Sequence, residues 1–135
     1  MPKEFPINAK GFHPFGELIG LTFTECENGR SRCALTITDA LLNPHQVLHG
    51  GVVYTMADTG MGGALYTLLE PDELCTTIEI KIAYHEPVTE GEIVCLTKVI
   101  HKRRKIASLE SEVFSGETLI SKATGTYYIF KTKPA

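Results

Sequence analysis

The sequence predicts an α+β fold in which an antiparallel sheet of five to six strands wraps around one long central helix. Three observations carry this. Residues 47–69 hold a single formal charge, Asp58, and are too long and too uniformly apolar for a strand. The segments that follow alternate apolar and polar residues with the period of two expected of half-buried strands. Ahead of the helix, Asn28-Gly29 separates two further alternating runs, and both residues tolerate the positive φ of a tight hairpin turn.

In chain order, residues 1–16 read as an irregular arm punctuated by Pro2, Pro6, Gly11 and Pro14, with a helical turn at residues 15–18. Residues 17–135 read as one domain, in keeping with a chain of 135 residues. Residues 21–38 form the hairpin, and Asn43-Pro44 marks the loop after it. The helix spans residues 50–69 and stops at Glu70-Pro71-Asp72. Gly60, Gly62 and Gly63 each cost roughly 1 kcal/mol inside a helix, which predicts close approach of its backbone to a sheet or a partner. A four-strand antiparallel meander follows, over residues 77–84, 92–101, 106–114 and 119–130. In the first of these strands Ile78, Ile80, Ile82 and Tyr84 form the inward face.

Composition narrows the class. A net charge of −3 leaves no basic footprint for nucleic acid. Residues 47–69 hold His49, Asp58 and five glycines, so no membrane span is expected. Cys26, Cys33, Cys75 and Cys95 form no CxxC pair, and the first residues lack the layout of a signal peptide. Reduced thiols in a cytoplasmic protein are the expectation. His45 and His49 are spaced i, i+4 but precede the helix, and no third ligand suggests itself, so no metal is expected.

Asp58 is the sharpest feature. A carboxylate on an apolar helix is costly unless paired, hydrated or used, and no basic residue lies three or four positions from it. A structural acid bonded to hydroxyls or backbone is one reading; a catalytic acid residue is the reading adopted.

The order ββ-helix-ββββ and the segment Asn43…His49-Gly50-Gly51…Asp58 resemble the hotdog-fold acyl-CoA thioesterases of the phenylacetate-pathway (PaaI-like) superfamily. The likeness runs from about Phe12 to Phe130 and takes in "PFGELIG", "HGG", "YHEPV" and "ATGTYYIF". It implies hydrolysis of an acyl-CoA, with coenzyme A as part of the substrate and no separate cofactor. The tyrosines and methionine of the expected pocket suit an aryl- or medium-chain acyl group. Asp58 would be the general base or nucleophile and the Gly50 N–H the oxyanion donor. Gly51 stands beside Gly50 at the predicted helix start, where N–H groups are free.

The resemblance further implies that Asn43 holds the thioester oxygen or the water, that Thr77 positions the water, and that His49 orients the site. Each has a plainer alternative: an Asn-Pro turn, a strand threonine, a loop histidine. A threonine found one helical turn after the acid in other branches is Gly62 here. Tyr54, Met61 and Leu65 are expected to line the acyl pocket. Lys102, Arg103, Arg104 and Lys105 are either a solvated hairpin tip or a landing site for the phosphates of coenzyme A.

Seven residues separate Gly51 from Asp58, roughly 10.5 Å along a helix. A base or nucleophile acts at about 3 to 3.5 Å from the reacting carbon. The expected arrangement is therefore a homodimer with the site across its interface, assembled as a dimer of dimers. Two other functions remain: a non-catalytic acyl-CoA binding or sensing module, and a hydratase. The hydratase would need a histidine soon after Asp58, which is missing.

Overall fold

A computed structural model describes residues 3–132 of the chain. A short helix α1 (Pro14–Ile19) is followed by β1 (Thr22–Glu27) and β2 (Arg30–Thr36), then a 3-10 turn (Asp39–Leu41) and the long helix α2 (Gly50–Tyr66). Four strands complete the chain: β3 (Glu73–Tyr84), β4 (Glu92–Lys102), β5 (Ile106–Ser115) and β6 (Thr118–Lys131). All six strands form one antiparallel sheet in the order β1-β2-β4-β5-β6-β3. The expected helix wrapped by a sheet is present, and it is the hotdog arrangement.

The expected meander needs correction. β4, β5 and β6 do run in sequence, but β3 pairs with β6 at the sheet edge and β4 pairs with β2. The link between β3 and β4 therefore crosses the sheet, whereas local turns dictate only the β1–β2, β4–β5 and β5–β6 hairpins. At the first of these, Asn28 and Gly29 adopt φ of 50° and 75°, as that turn requires.

Helix α2 ends at Tyr66, one turn before the expected Leu69. The Thr67 hydroxyl donates to the Ala64 carbonyl at 2.7 Å and accepts from Gly29 N–H at 2.8 Å. The second of these bonds pins the β1–β2 turn to the helix terminus.

One side of α2 packs on the sheet. Val53 and Met56 meet Leu35, Ile93, Val113 and Ile120, while Ala57, Met61, Ala64 and Leu65 meet Leu109, Tyr127 and Ile129. The close approach expected of the glycines occurs at two of the three. A Cβ at Gly60 would sit 2.6 Å from Thr97 Oγ1, and one at Gly63 would sit 2.8 Å from the Phe23 ring. The sheet also donates to helix carbonyls, from Ser31 Oγ to Gly60 at 2.7 Å and from Ser111 Oγ to Ala57 at 3.1 Å. Gly62 faces open space on the other side.

The arm lies along the β1 edge. Asn8 donates its Nδ2 to the Phe23 carbonyl at 2.7 Å and accepts from Phe23 N–H at 2.8 Å. One side chain thus occupies the backbone groups an edge strand leaves open. No helix among the described residues is long and apolar enough to cross a membrane.

Candidate active site

Asp58 is half-buried at the margin between α2 and the β3–β6 edge, not deep in the core as its apolar surroundings suggested. Thr77 Oγ1 donates to its Oδ1 at 2.8 Å, and Tyr127 OH makes a short hydrogen bond to the same oxygen. Tyr127 OH also lies 2.8 Å from the Asp58 carbonyl, so its proton is shared between two acceptors. One carboxylate oxygen is thereby held, and the other, Oδ2, accepts no hydrogen bond among the described residues. Burial, and after it the negative charge of Asp58, push the Tyr127 phenol well above its usual range, which keeps it a donor.

The local backbone explains why Thr77 reaches Asp58. Thr77 pairs with Tyr127 across the β3–β6 ladder, and the register slips at the next step, between Thr77 and Glu79. A bulge changes the parity of a strand. Ile80 and Ile82 face the helix as expected, but beyond the bulge it is Thr77 that turns toward α2. Ile78 is left exposed, against the expected inward face, while Tyr84 keeps the parity of Ile82 and reaches the start of α2, although its ring is partly exposed.

Asp58, Thr77 and Tyr127 border a cavity of 330 Å³ whose remaining walls include Phe5, Phe12 and Tyr66. The rings interlock: Phe5 stands edge-on to Phe12 at 5.3 Å and to Tyr66 at 5.5 Å between centroids. Gly62 also borders this cavity, so the missing helix side chain opens space beside the carboxylate. Cys75 lies on the same wall, its thiol pushed up to about 11 mainly by burial, which leaves it no nucleophile near neutrality.

Gly50 and Gly51 lie elsewhere. They border a second cavity, of 440 Å³, with Tyr84, Pro87 and Val88, and no residue lines both. His49 caps α2, its Nδ1 accepting from Gly51 N–H at 2.7 Å. Of the two glycine donors, Gly51 is thus occupied by the cap and Gly50 N–H remains open. Tyr84 OH donates to the Gly50 carbonyl at 2.8 Å and fixes this first residue of the helix.

Asn43 borders neither cavity. Its Oδ1 accepts from His45 N–H at 2.8 Å and Val47 N–H at 3.4 Å, which closes the loop before α2 and leaves Nδ2 as its free donor. Met61 and Leu65 are fully buried against the sheet and Tyr54 is exposed. None of the three borders the cavity at Asp58, because helix positions 61 and 65 turn toward β5 and β6. Lys102, Arg103, Arg104 and Lys105 form the β4–β5 tip. Lys102 shares a cross-strand row with Ala107, Tyr127 and Thr77.

The residues missed in the sequence are Tyr127 and the rings of the arm. A signal for Tyr127 existed: Ala123, Tyr127 and Ile129 share the parity of the helix-facing side of β6. No group of three or more His, Cys, Asp or Glu suited to a metal occurs among the described residues.

Comparison with known proteins agrees with this architecture. A model of the thioesterase superfamily matches residues 45–121. A conserved protein of Pseudomonas aeruginosa has a similar structure, with a TM-score of 0.85 and 31% identity over 88% of this chain and 95% of its own. A mutant of the phenylacetic acid degradation protein PaaI from Thermus thermophilus gives a TM-score of 0.81 and 25% identity over 86% of this chain and 98% of its own. A 1,4-dihydroxy-2-naphthoyl-CoA hydrolase of Listeria monocytogenes is 27% identical over 85 residues, 63% of this chain and 69% of its own. The helix, the sheet order and these likenesses concur: this chain belongs to the thioesterase superfamily, as an enzyme of the hotdog fold.

Proposed function

We propose that the protein hydrolyses an acyl-CoA thioester with an aryl or medium-length acyl group, Asp58 of one subunit acting opposite the Gly50 N–H of another. The observation that carries this reading is the asymmetry of the Asp58 carboxylate. Two hydroxyls hold Oδ1, and Oδ2 is free at the wall of an aromatic cavity.

In this reading Oδ2 takes a proton from water while the water oxygen bonds to the thioester carbon. Negative charge gathers on the former carbonyl oxygen. Gly50 N–H, at the N-terminus of α2 where the helix dipole favours an anion, donates to it, with Asn43 Nδ2 as second donor. Collapse breaks the C–S bond, and the departing thiolate recovers the proton from Asp58. The same free oxygen could instead attack the carbon directly, giving an anhydride that water then splits.

Two subunits are required because eight residues of helix separate Gly50 from Asp58, roughly 12 Å. The separate cavities support this, as does the open edge of β3, where Leu74, Ile78 and Tyr84 are exposed. The reading is a homodimer, assembled further as a dimer of dimers. Lys102 lies three strand spacings from Thr77, roughly 14 Å. That distance suits the basic tip to the phosphates of coenzyme A while the thioester sits at Asp58.

The test is thiol release from butanoyl-, decanoyl-, benzoyl- and phenylacetyl-CoA by the wild type, Asp58→Asn and Gly50→Pro. Proline fits the first helical position and removes the N–H there. Its added Cβ would come within 3.1 Å of the Tyr84 ring, so Gly50→Ala is measured beside it as the control that keeps the N–H. The preceding His49, at φ −62° and ψ 130°, already has a backbone compatible with it. We expect Asp58→Asn to lower kcat about 10³-fold and Gly50→Pro about 10²-fold or more, with both variants folded. Binding of the acyl-CoAs without thiol release from any of them would instead make this a binding module.

A further inference from the structure

The cavity at Asp58 shares a wall with another. Phe5, Phe12, His13 and Phe23 border both it and a half-open cavity of 410 Å³ between the arm, α1 and β1. Beyond that wall the lining includes the buried Leu21 and the exposed Ala9, Lys10 and Glu17. An apolar cavity of about 150 Å³ takes a benzene-sized guest. The 330 Å³ beside Asp58 therefore suits an aryl or short acyl group, and the space behind the wall would extend it for a longer chain.

The four members of the wall are not equally fixed. Phe23 is 5% exposed, and Phe5 is clamped between it and Tyr66, with centroids at 4.6 and 5.5 Å. His13 caps α1, its Nδ1 accepting from Gly16 N–H at 2.8 Å. Phe12 is 45% exposed, and its ring meets Phe5 and Tyr66 edge-on. The backbone nearby is clipped to β1 by both bonds of Asn8. The Phe12 ring can leave its place while the arm stays where it is.

We propose that the cavity between the arm and β1 is a tail site for the far end of a long acyl chain, and that the Phe12 ring sets the acyl length accepted. The proposal rests on the thioesterase reading of Asp58. Its occupant is the substrate's own acyl chain, because the cavity adjoins the space where the thioester carbon must sit.

The experiment compares kcat/KM for butanoyl-, octanoyl-, decanoyl- and dodecanoyl-CoA in the wild type, Phe12→Ala and Ala9→Phe. Truncating Phe12 joins the two spaces, and the decanoyl-to-butanoyl ratio should rise at least about tenfold. Filling the far space from Ala9 should lower the same ratio by a similar factor. A ratio is insensitive to the fraction of folded enzyme, and if Phe12→Ala does not fold, Ala9→Phe decides alone. Thiol release with a ratio that neither variant moves overturns the tail site and leaves the thioesterase reading intact. Thiol release from no member of the series overturns the reading itself and the tail site with it.

Discussion

In the proposed mechanism Asp58 is a carboxylate made reactive without a cationic partner. Thr77 and Tyr127 both donate to Oδ1, so the side chain is oriented while Oδ2 keeps its lone pairs. Removing one of these donors should loosen the base rather than abolish it. Tyr127→Phe and Thr77→Val are each expected to lower kcat about tenfold, with KM little changed, as for a positioning residue. The double variant should lose less than the product of the two single losses, since both act through one oxygen. Steady-state kinetics on one acyl-CoA checks all three. At this scale the sequence showed that Asp58 lacked a helical ion pair. Tyr127, 69 residues away, could be matched to it only once β6 had been placed beside β3.

Among the elements, β3 and α2 do the most to build the site. The bulge after Thr77 turns its hydroxyl toward the helix and turns Ile78 away. Alternation in the sequence continues through Ile78, and nothing local marks the slip, because it arises from pairing with β6. The glycines of α2 were legible as a cost but not as to which side each serves. Gly60 lies against Thr97 and Gly62 against open space. Gly60→Ala should therefore destabilise the protein by about 1 to 3 kcal/mol through overpacking. Gly62→Ala should stabilise it by about 0.5 to 1 kcal/mol, since alanine is the better helix former. Urea denaturation of the two variants beside the wild type reads both signs.

At the scale of the whole molecule, the division of the helix start and the acid between two cavities leads to a test of shared sites. A mixed dimer of Asp58→Asn with Gly50→Pro contains one site in which both defects meet and one with neither. Random reassortment of the two inactive proteins should then restore about a quarter of the wild-type activity per subunit, from the half of the dimers that are mixed. Sites complete within one chain would give no recovery on mixing. The exposed face of α2 and the free edge of β3 are where a second copy would fit, for Tyr54, Leu74, Ile78 and Tyr84 all remain exposed in the single chain.

The sequence by itself determined the helix within an antiparallel sheet, the β1–β2 turn, and Asp58 as the residue to explain. Each rests on local information: a period of two, a run with one charge, a pair of residues that accept positive φ. Only the tertiary structure decided that β3 closes on β6 and that Tyr127 holds the acid. It also decided that Met61 and Leu65 belong to the core while the rings of the arm border the cavity. These outcomes depend on contacts between residues far apart in the chain. Such contacts are fixed by strand order, register and the packing of α2 on the sheet, which no short stretch of sequence encodes.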